Sequence, residues 1–451
     1  MPYSSRISHF PNDYGIGKID GYTVFVPGGI PGDRIKVEIT YPGKRFGYGR
    51  IVSFDEQSTC RTAPFCPHFG TCGGCTLQNV PYSEQLAMKE NYLHQTLRRI
   101  GKIDSQRISI LPIAASPETK YYRGKIELAF GDDGDKIRMG LRKRVLPHEK
   151  YTGSIVPIIE CPVFSGRIKE IISALSEYAA AGHFAAYNPV TGTGFLKHCI
   201  VRESKTTGEL MCIIETAPAD LSESGNCPRF LVDRVSDITS MYSTENSSMD
   251  DVIHFEKTIH RAGKKFIEEN FAPATFHIYP QSFFQPNPFA ARKLYDFIPE
   301  FEEFGSDDVL YGLYCGTGTI EIMLSRFVKH VTGVDSLSEN INNAIENCRI
   351  NQVGNCSFKV LKAENIRKAR KQDSPSVVLI DPPRTGLSKQ ALDNIVGLKP
   401  KRVIYISCNP ATLARDLAVL QNQRYMVRRV APFDFFPHTS HLETLVSLHR
   451  H

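Results

Sequence analysis

The chain has 451 residues, 41% of them hydrophobic and 23% charged, a balance that suits folded globular domains and excludes both a small disulfide scaffold and a disordered chain. Its 54 Lys and Arg against 48 Asp and Glu leave a net charge of +6, which permits a nucleic-acid partner without requiring one. No run of about 18 apolar residues occurs and MPYSSRISHF lacks a signal-peptide pattern, so the expected location is cytoplasmic, away from membranes.

Residues 1–58 alternate short apolar runs with Gly and Pro turns, as in YTVFVPGG, IPGDRIKVEIT and YGRIVSF, which predicts a small OB-like β-barrel. Lys44, Arg45, Tyr48 and Arg50 mix bases with an aromatic ring, a composition equally suited to an oligonucleotide and to a plain solvated surface. Of 12 cysteines, four follow close together at Cys60, Cys66, Cys72 and Cys75, while the rest are dispersed from Cys161 to Cys408. In a reducing compartment such clustering points to a shared metal; four thiolates suit zinc or an iron–sulfur cluster, and zinc, the commoner, ranks first on the residues alone.

A helix is predicted near residues 82–101, with Leu86, Leu93, Leu97 and Ile100 on one face. The rest of 59–270 reads as a mostly β central domain, containing KIELAF, ELMCIIE and ITSMYS, with one helix near 165–181. Its basic run Arg138, Arg142, Lys143 and Arg144 has the pattern of a solvated loop, with phosphate contact as the second meaning. From residue 271 to 451 the strands DVLYGLY, HVTGVD, CSFKVL, SVVLID and RVIYIS alternate with helical segments, which predicts a doubly wound, Rossmann-like parallel sheet. A capping box, Ser336 to Glu339, is expected to open the helix that carries Ile341, Ala344, Ile345 and Cys348.

The first of those strands runs into Tyr314-Cys315-Gly316-Thr317-Gly318-Thr319, a glycine turn where a ligand can approach the backbone. The next strand ends in Asp335, 19 positions after Gly316, where a carboxylate can accept hydrogen bonds from both ribose hydroxyls of an adenosine. Ile320 and Glu321 stand where a dinucleotide turn would place its third glycine, so S-adenosylmethionine fits better than NAD. The fourth strand ends in Asp381-Pro382-Pro383-Arg384 and the fifth in Ser407-Cys408-Asn409-Pro410, both at the ligand-binding edge. Flanked by polar residues rather than apolar ones, Cys408 reads as a nucleophile.

In these features the sequence resembles the RNA uracil-5-methyltransferase family along essentially its whole length. Five marks carry the likeness in order: Phe284-Gln285-Pro286-Asn287, Leu313-Tyr314-Cys315-Gly316, Asp381-Pro382-Pro383-Arg384, Ser407-Cys408-Asn409-Pro410 and His441-Leu442-Glu443-Thr444. The resemblance implies a TRAM barrel over 1–58 and a 4Fe-4S cluster on Cys66, Cys72, Cys75 and Cys161, with Cys60 a bystander. It further implies that Gln285, Tyr314, Thr319, Asp335, Asn365 (or its neighbour Glu364) and Asp381 line the S-adenosylmethionine site. One departure stands out: where the family has an acid just before Leu-Tyr-Cys-Gly, expected to help hold the methionine end of the cofactor, this chain has Gly312.

The chemistry implied is addition of Cys408 to carbon 6 of uracil, methyl transfer to carbon 5, and removal of the carbon 5 proton by Glu443. Asp381 and Arg384 would hold the base, and a free thiol carries enough thiolate at neutral pH to react. The expected partner is RNA, 23S ribosomal RNA before transfer RNA, and the protein is expected to be a monomer with no protein partner. An amino-methylating enzyme would want an aromatic in place of Arg384 and has no need of Cys408; a non-catalytic RNA-binding relative would rest on Gly312 alone.

Overall fold

Strands Tyr3–His9, Tyr14–Ile19, Tyr22–Pro27, Arg34–Pro42 and Phe46–Glu56 close into a five-stranded barrel around Ile7, Val24, Val26, Ile35 and Val37. The structure is a computed structural model that describes residues 3–9, 13–104, 106, 108–133, 136–146, 148–182, 185–218, 226–369 and 374–451. Asp33 stitches the barrel to the segment that leads out of it, its carboxylate accepting from the amides of Ile30 and Ser58 and from Arg61. Tyr48 stacks on His148 at 5.2 Å, and the Arg144 guanidinium lies 5.2 Å over the Tyr14 ring.

The central sheet has seven strands in the order Lys257–Gly263, Ile238–Glu245, Leu210–Thr216, Leu196–Glu203, Lys125–Asp133, Lys136–Arg142, Ile155–Pro157. One face packs on helix Ile168–Gly182 and on a second helix, Asn226–Arg234, which the sequence did not reveal. The other face is also covered, because Ile200, Met211 and Ile213 join the core of the C-terminal domain. That explains why Leu196–Glu203 and Leu210–Thr216 are buried at every position. The basic run is not the loop its composition suggested: Arg138 and Arg142 lie on a strand, and Arg142 is held by Asp251 at 2.6 Å.

The C-terminal sheet orders its strands Cys356–Val360, His330–Asp335, Val309–Leu313, Val377–Ile380, Arg402–Ser407, Glu443–Arg450, Tyr425–Phe433 and Ser109–Ile110. The first five are parallel, Glu443–Arg450 runs antiparallel to both its neighbours, and the short Ser109–Ile110 completes the sheet parallel to Tyr425–Phe433. The direction of winding reverses between Val309–Leu313 and Val377–Ile380, which is where such sheets open a crevice at their carboxyl edge. The expected capping box is absent. Helix Ser338–Ile350 is capped at Leu337 without a side chain, and the Leu337 amide donates instead to Asp335 Oδ1 at 2.9 Å. Ile345, placed on the apolar face by spacing, is 50% exposed.

Helix Tyr82–Arg99 lies against helix Pro410–Asn422, with Leu93 and Leu97 in the C-terminal core. Its buried face is more polar than its apolar spacing predicted: Gln85, Lys89 and Thr96 are buried while Ile100 is exposed. The reason is the segment that it grips. Lys89 Nζ donates to Asp434 Oδ1 at 2.7 Å and to the Phe436 carbonyl at 3.0 Å, both ends of the ion pair being almost wholly buried. Removing one partner of such a pair strands the other charge. Lys89→Met is therefore expected to lower stability by about 3–5 kcal/mol in urea unfolding, and a change within about 0.5 kcal/mol would contradict this role.

Candidate active site

The strand Val309–Leu313 delivers the glycine turn to the carboxyl edge of the sheet. Tyr314, Gly316 and Gly318 all take positive φ (61°, 52° and 75°), which folds the chain back into helix Thr319–Leu324. Asp335 fixes that turn, accepting from the Gly316 amide at Oδ2 (3.1 Å) and from Asn340 Nδ2 at Oδ1 (3.2 Å). With the Leu337 amide also on Oδ1, three of the carboxylate's roughly four lone-pair sites are taken, and one remains for a ribose hydroxyl.

Beside the turn, Asn287 caps helix Pro288–Phe301 by accepting from the Ala290 amide at 3.1 Å and ties it to the Phe435 carbonyl at 2.9 Å. This sets Gln285 at the crevice, where its amide hydrogen-bonds the Tyr295 hydroxyl. Gln285, Tyr314, Thr319 and Asp381 line one cavity together with Phe283, Tyr295 and Glu321. Asp335 stands behind the turn instead of lining the cavity, and Asn365 lies outside it on the short helix Ala363–Ala369. Its neighbour Glu364 acts on the cavity, helping, after burial, to push the Tyr314 phenol up to about 12.

Cys408 and Glu443 come to the same edge from adjacent strands, since Ser407 pairs with Thr444 across the antiparallel register. Asn409 locks the thiol loop to the Asp381 loop by capping helix Pro410–Asn422 and donating to the Arg384 carbonyl at 3.0 Å. Arg384 turns its guanidinium onto the His441 ring, Nη2 lying 2.9 Å from Nε2. Burial, and then this cation, hold His441 down at about 4.

The electrostatics differ from the sequence expectation in one respect. Burial, followed by the carboxyls of Glu443 and Asp381, pushes the Cys408 thiol up to about 12, with Arg384 pulling the other way. Without a ligand the thiol is therefore protonated at neutral pH rather than a few per cent ionised. Asp381 is pushed up to about 7 by burial, and Glu443, 2% exposed and facing Asp381, is raised further from the carboxylate range. Neither Glu321 oxygen has a hydrogen-bond partner, and Glu443 Oε1 has none. Sequence reasoning missed Tyr295 and Glu321; the available signal was an acid in the otherwise apolar helix TIEIML.

A second cavity, of about 410 Å³, is lined by Cys66, Cys72, Cys75 and Cys161. Among the described residues no three His, Cys, Asp or Glu side chains converge closely enough to hold a single metal ion. Burial pushes Cys75 up to about 12 and Cys161 up to about 11, and each thiol is raised further by the others. Cys60 packs elsewhere, against Ile30, Leu77 and Val80. Among the described residues no helix is long and apolar enough to cross a membrane.

Residues 264–451 match the family model described as tRNA (uracil-5-)-methyltransferase, and residues 5–52 match the TRAM domain. An uncharacterized RNA methyltransferase of Clostridium acetobutylicum is 34% identical over 99% of this chain and 97% of its own length. One from Bacteroides thetaiotaomicron is also 34% identical, over 96% of this chain and 98% of its own. Among solved structures, a Pyrococcus abyssi tRNA (uracil-54, C5)-methyltransferase in complex with S-adenosyl-L-homocysteine is 30% identical, with a TM-score of 0.77 over 98% of this chain and 99% of that one.

The raised thiol makes a prediction. Alkylation of Cys408 by iodoacetamide, located by mass spectrometry in the ligand-free protein, should keep rising with pH from about 7 to 10, because more thiolate forms at each step. A plateau near pH 8.5, the range of a free thiol, would contradict it.

Proposed function

This chain belongs to the RNA uracil-5-methyltransferase family, and from that premise we propose that it methylates carbon 5 of a uridine through a covalent adduct on Cys408. The observation that carries the reading is the gathering of Cys408, Glu443, Asp381 and Arg384 at one edge of the sheet, beside the cavity of the glycine turn. The enzyme is dependent on S-adenosylmethionine, which supplies a methyl group on a positively charged sulfonium. The groups of the cavity suit it: the Glu321 carboxyl, without a partner, on one side and the glycine turn on the other.

Carbon 5 of uracil is a weak nucleophile. The Cys408 thiolate adds to carbon 6, pushing the ring electrons to an enolate whose carbon 5 takes the methyl. The Glu443 carboxylate then takes the carbon 5 proton, and the electrons of that bond expel the thiolate and restore the ring. Arg384, beside both groups, stabilises the enolate oxygen and favours the ionised thiol. A uridine stacked in a helix cannot reach this edge, so the target is a loop nucleotide or one flipped out at a cost of a few kcal/mol. Tyr14 and Tyr48 of the barrel, with Arg144 of the central domain laid over the Tyr14 ring, supply stacking and phosphate contacts that offset it.

We place the enzyme in the cytoplasm and take 23S ribosomal RNA as its substrate, on the combination of a barrel with a four-cysteine site. Transfer RNA is the second reading, favoured by the solved neighbour, which is a tRNA methyltransferase and matches almost the whole chain, so domain content does not separate the two. Labelled methyl transfer to unmodified 23S ribosomal RNA and transfer RNA in parallel decides between them. For the cysteine cavity we propose a 4Fe-4S cluster on Cys66, Cys72, Cys75 and Cys161. Four thiols spread around a space of about 410 Å³ suit a polynuclear group better than one zinc ion.

Two outcomes are expected. Cys408→Ala abolishes methyl transfer, while Glu443→Gln accumulates an RNA adduct that resists denaturation; wild-type turnover in Cys408→Ala contradicts the nucleophile assignment. Protein purified without oxygen contains about four irons and four sulfides per chain, falling in Cys75→Ser, whereas stoichiometric zinc with no sulfide contradicts the cluster.

A further inference from the structure

Glu321 is the most isolated charge-bearing group of the described site. It is 1% exposed, both carboxyl oxygens lack a hydrogen-bond partner, and it lines the cavity of the glycine turn with Gln285 and Asp381. Burial pushes it up to about 8, and Asp381 raises it further. Such a group is retained at a cost unless something arrives to bond it.

Gly312 explains how the carboxyl fits. A Cβ built on Gly312 would stand 2.0 Å from Glu321 Oε1 and within 2.9 Å of its Cγ. The absence of a side chain on the strand is thus the space in which the helix carboxyl lies. A side chain at 312 and the observed Glu321 conformer exclude each other, so the two positions form one compensated pair.

Two oxygens without donors, in a cavity that takes S-adenosylmethionine, call for N–H or O–H groups bearing positive charge. The sulfonium has no such hydrogen to offer, and the ribose hydroxyls and the adenine amino group are neutral, with Asp335, one strand further along the sheet and behind the turn, open to a ribose hydroxyl. The α-ammonium, with three N–H donors, remains. We propose that Glu321 binds the α-ammonium of S-adenosylmethionine, supplying from the helix the acid that position 312 does not provide. This rests on the cofactor reading above.

The test is equilibrium binding by titration calorimetry to the full chain, using S-adenosylhomocysteine and 5′-methylthioadenosine, which lacks the amino-acid end. Glu321→Gln, nearly isosteric, should weaken S-adenosylhomocysteine by about 10- to 100-fold, the scale of one charge-assisted hydrogen bond, and leave 5′-methylthioadenosine unchanged. The exchange Gly312→Asp with Glu321→Ser should recover most of the lost affinity, while Glu321→Ser alone should not. Equal weakening of both ligands, or of neither, overturns the proposal. A wild-type chain that binds 5′-methylthioadenosine but not S-adenosylhomocysteine overturns it as well, and one that binds neither overturns the cofactor reading with it. Unfolding of Glu321→Gln without ligand, at the wild-type temperature or above, separates a binding loss from a folding loss.

Discussion

The arrangement at the carboxyl edge of the C-terminal sheet is governed by a shortage of positive charge. Glu321, Asp381 and Glu443 carry three carboxyls into a poorly solvated space beside the Cys408 thiol, with the Arg384 guanidinium as the neighbouring cation. Burial disfavours the charged form of each group, and the neighbouring carboxyls add to it for Glu321, Glu443 and Cys408, so protons stay on and all four groups sit above their ordinary pKa values. A bound cation reverses this balance. On the proposed mechanism, the positively charged methyl donor is the cation that favours the Cys408 thiolate and the Glu443 carboxylate together.

Holding that edge in place is work shared by every part of the chain. The segment Asp434–Leu442, which leads into Glu443, takes hydrogen bonds from Lys89 of the helix and Tyr122 of the central region, and its His438 amide donates to Gln85 Oε1. The amides of Thr76 and Leu77, directly after the four-cysteine segment, both donate to the His438 carbonyl at 2.9 Å. Asp13 of the barrel accepts from Thr76 at 2.6 Å and from the Ser440 amide at 3.3 Å. The barrel, the segment after the clustered cysteines and the chain leading into Glu443 are therefore linked by a few hydrogen bonds, with His438 at their centre.

What could be read from the sequence was whatever is decided within a few residues. The glycine turn, the alternating strands and helices, and the strand-end motifs carry their own local geometry, and the structure places Cys408, Glu443, Gln285, Tyr314, Thr319 and Asp381 around one edge. The readings that failed depend on residues far away in the chain. Ile100 was placed on the buried face and Lys89 passed over because the partner that buries Lys89, Asp434, is 345 positions distant. Arg142 looked free because Asp251 lies 109 positions on. Ser336 looked like a cap because nothing local shows that the Asp335 carboxylate already holds the Leu337 amide. Glu321 was taken only for a missing glycine, since its relation to Gly312 appears once strand and helix are packed together.

The central claim is that the thiol of Cys408 bonds to the base during methyl transfer. An RNA substrate carrying 5-fluorouridine tests it directly, because fluorine at carbon 5 leaves Glu443 no proton to remove and the adduct cannot resolve. Peptide mass spectrometry of the trapped complex should show a methylated 5-fluorouridine on Cys408, formed only when S-adenosylmethionine is present. A bond to another residue, or release of methylated 5-fluorouridine RNA with no protein attached, would contradict the account.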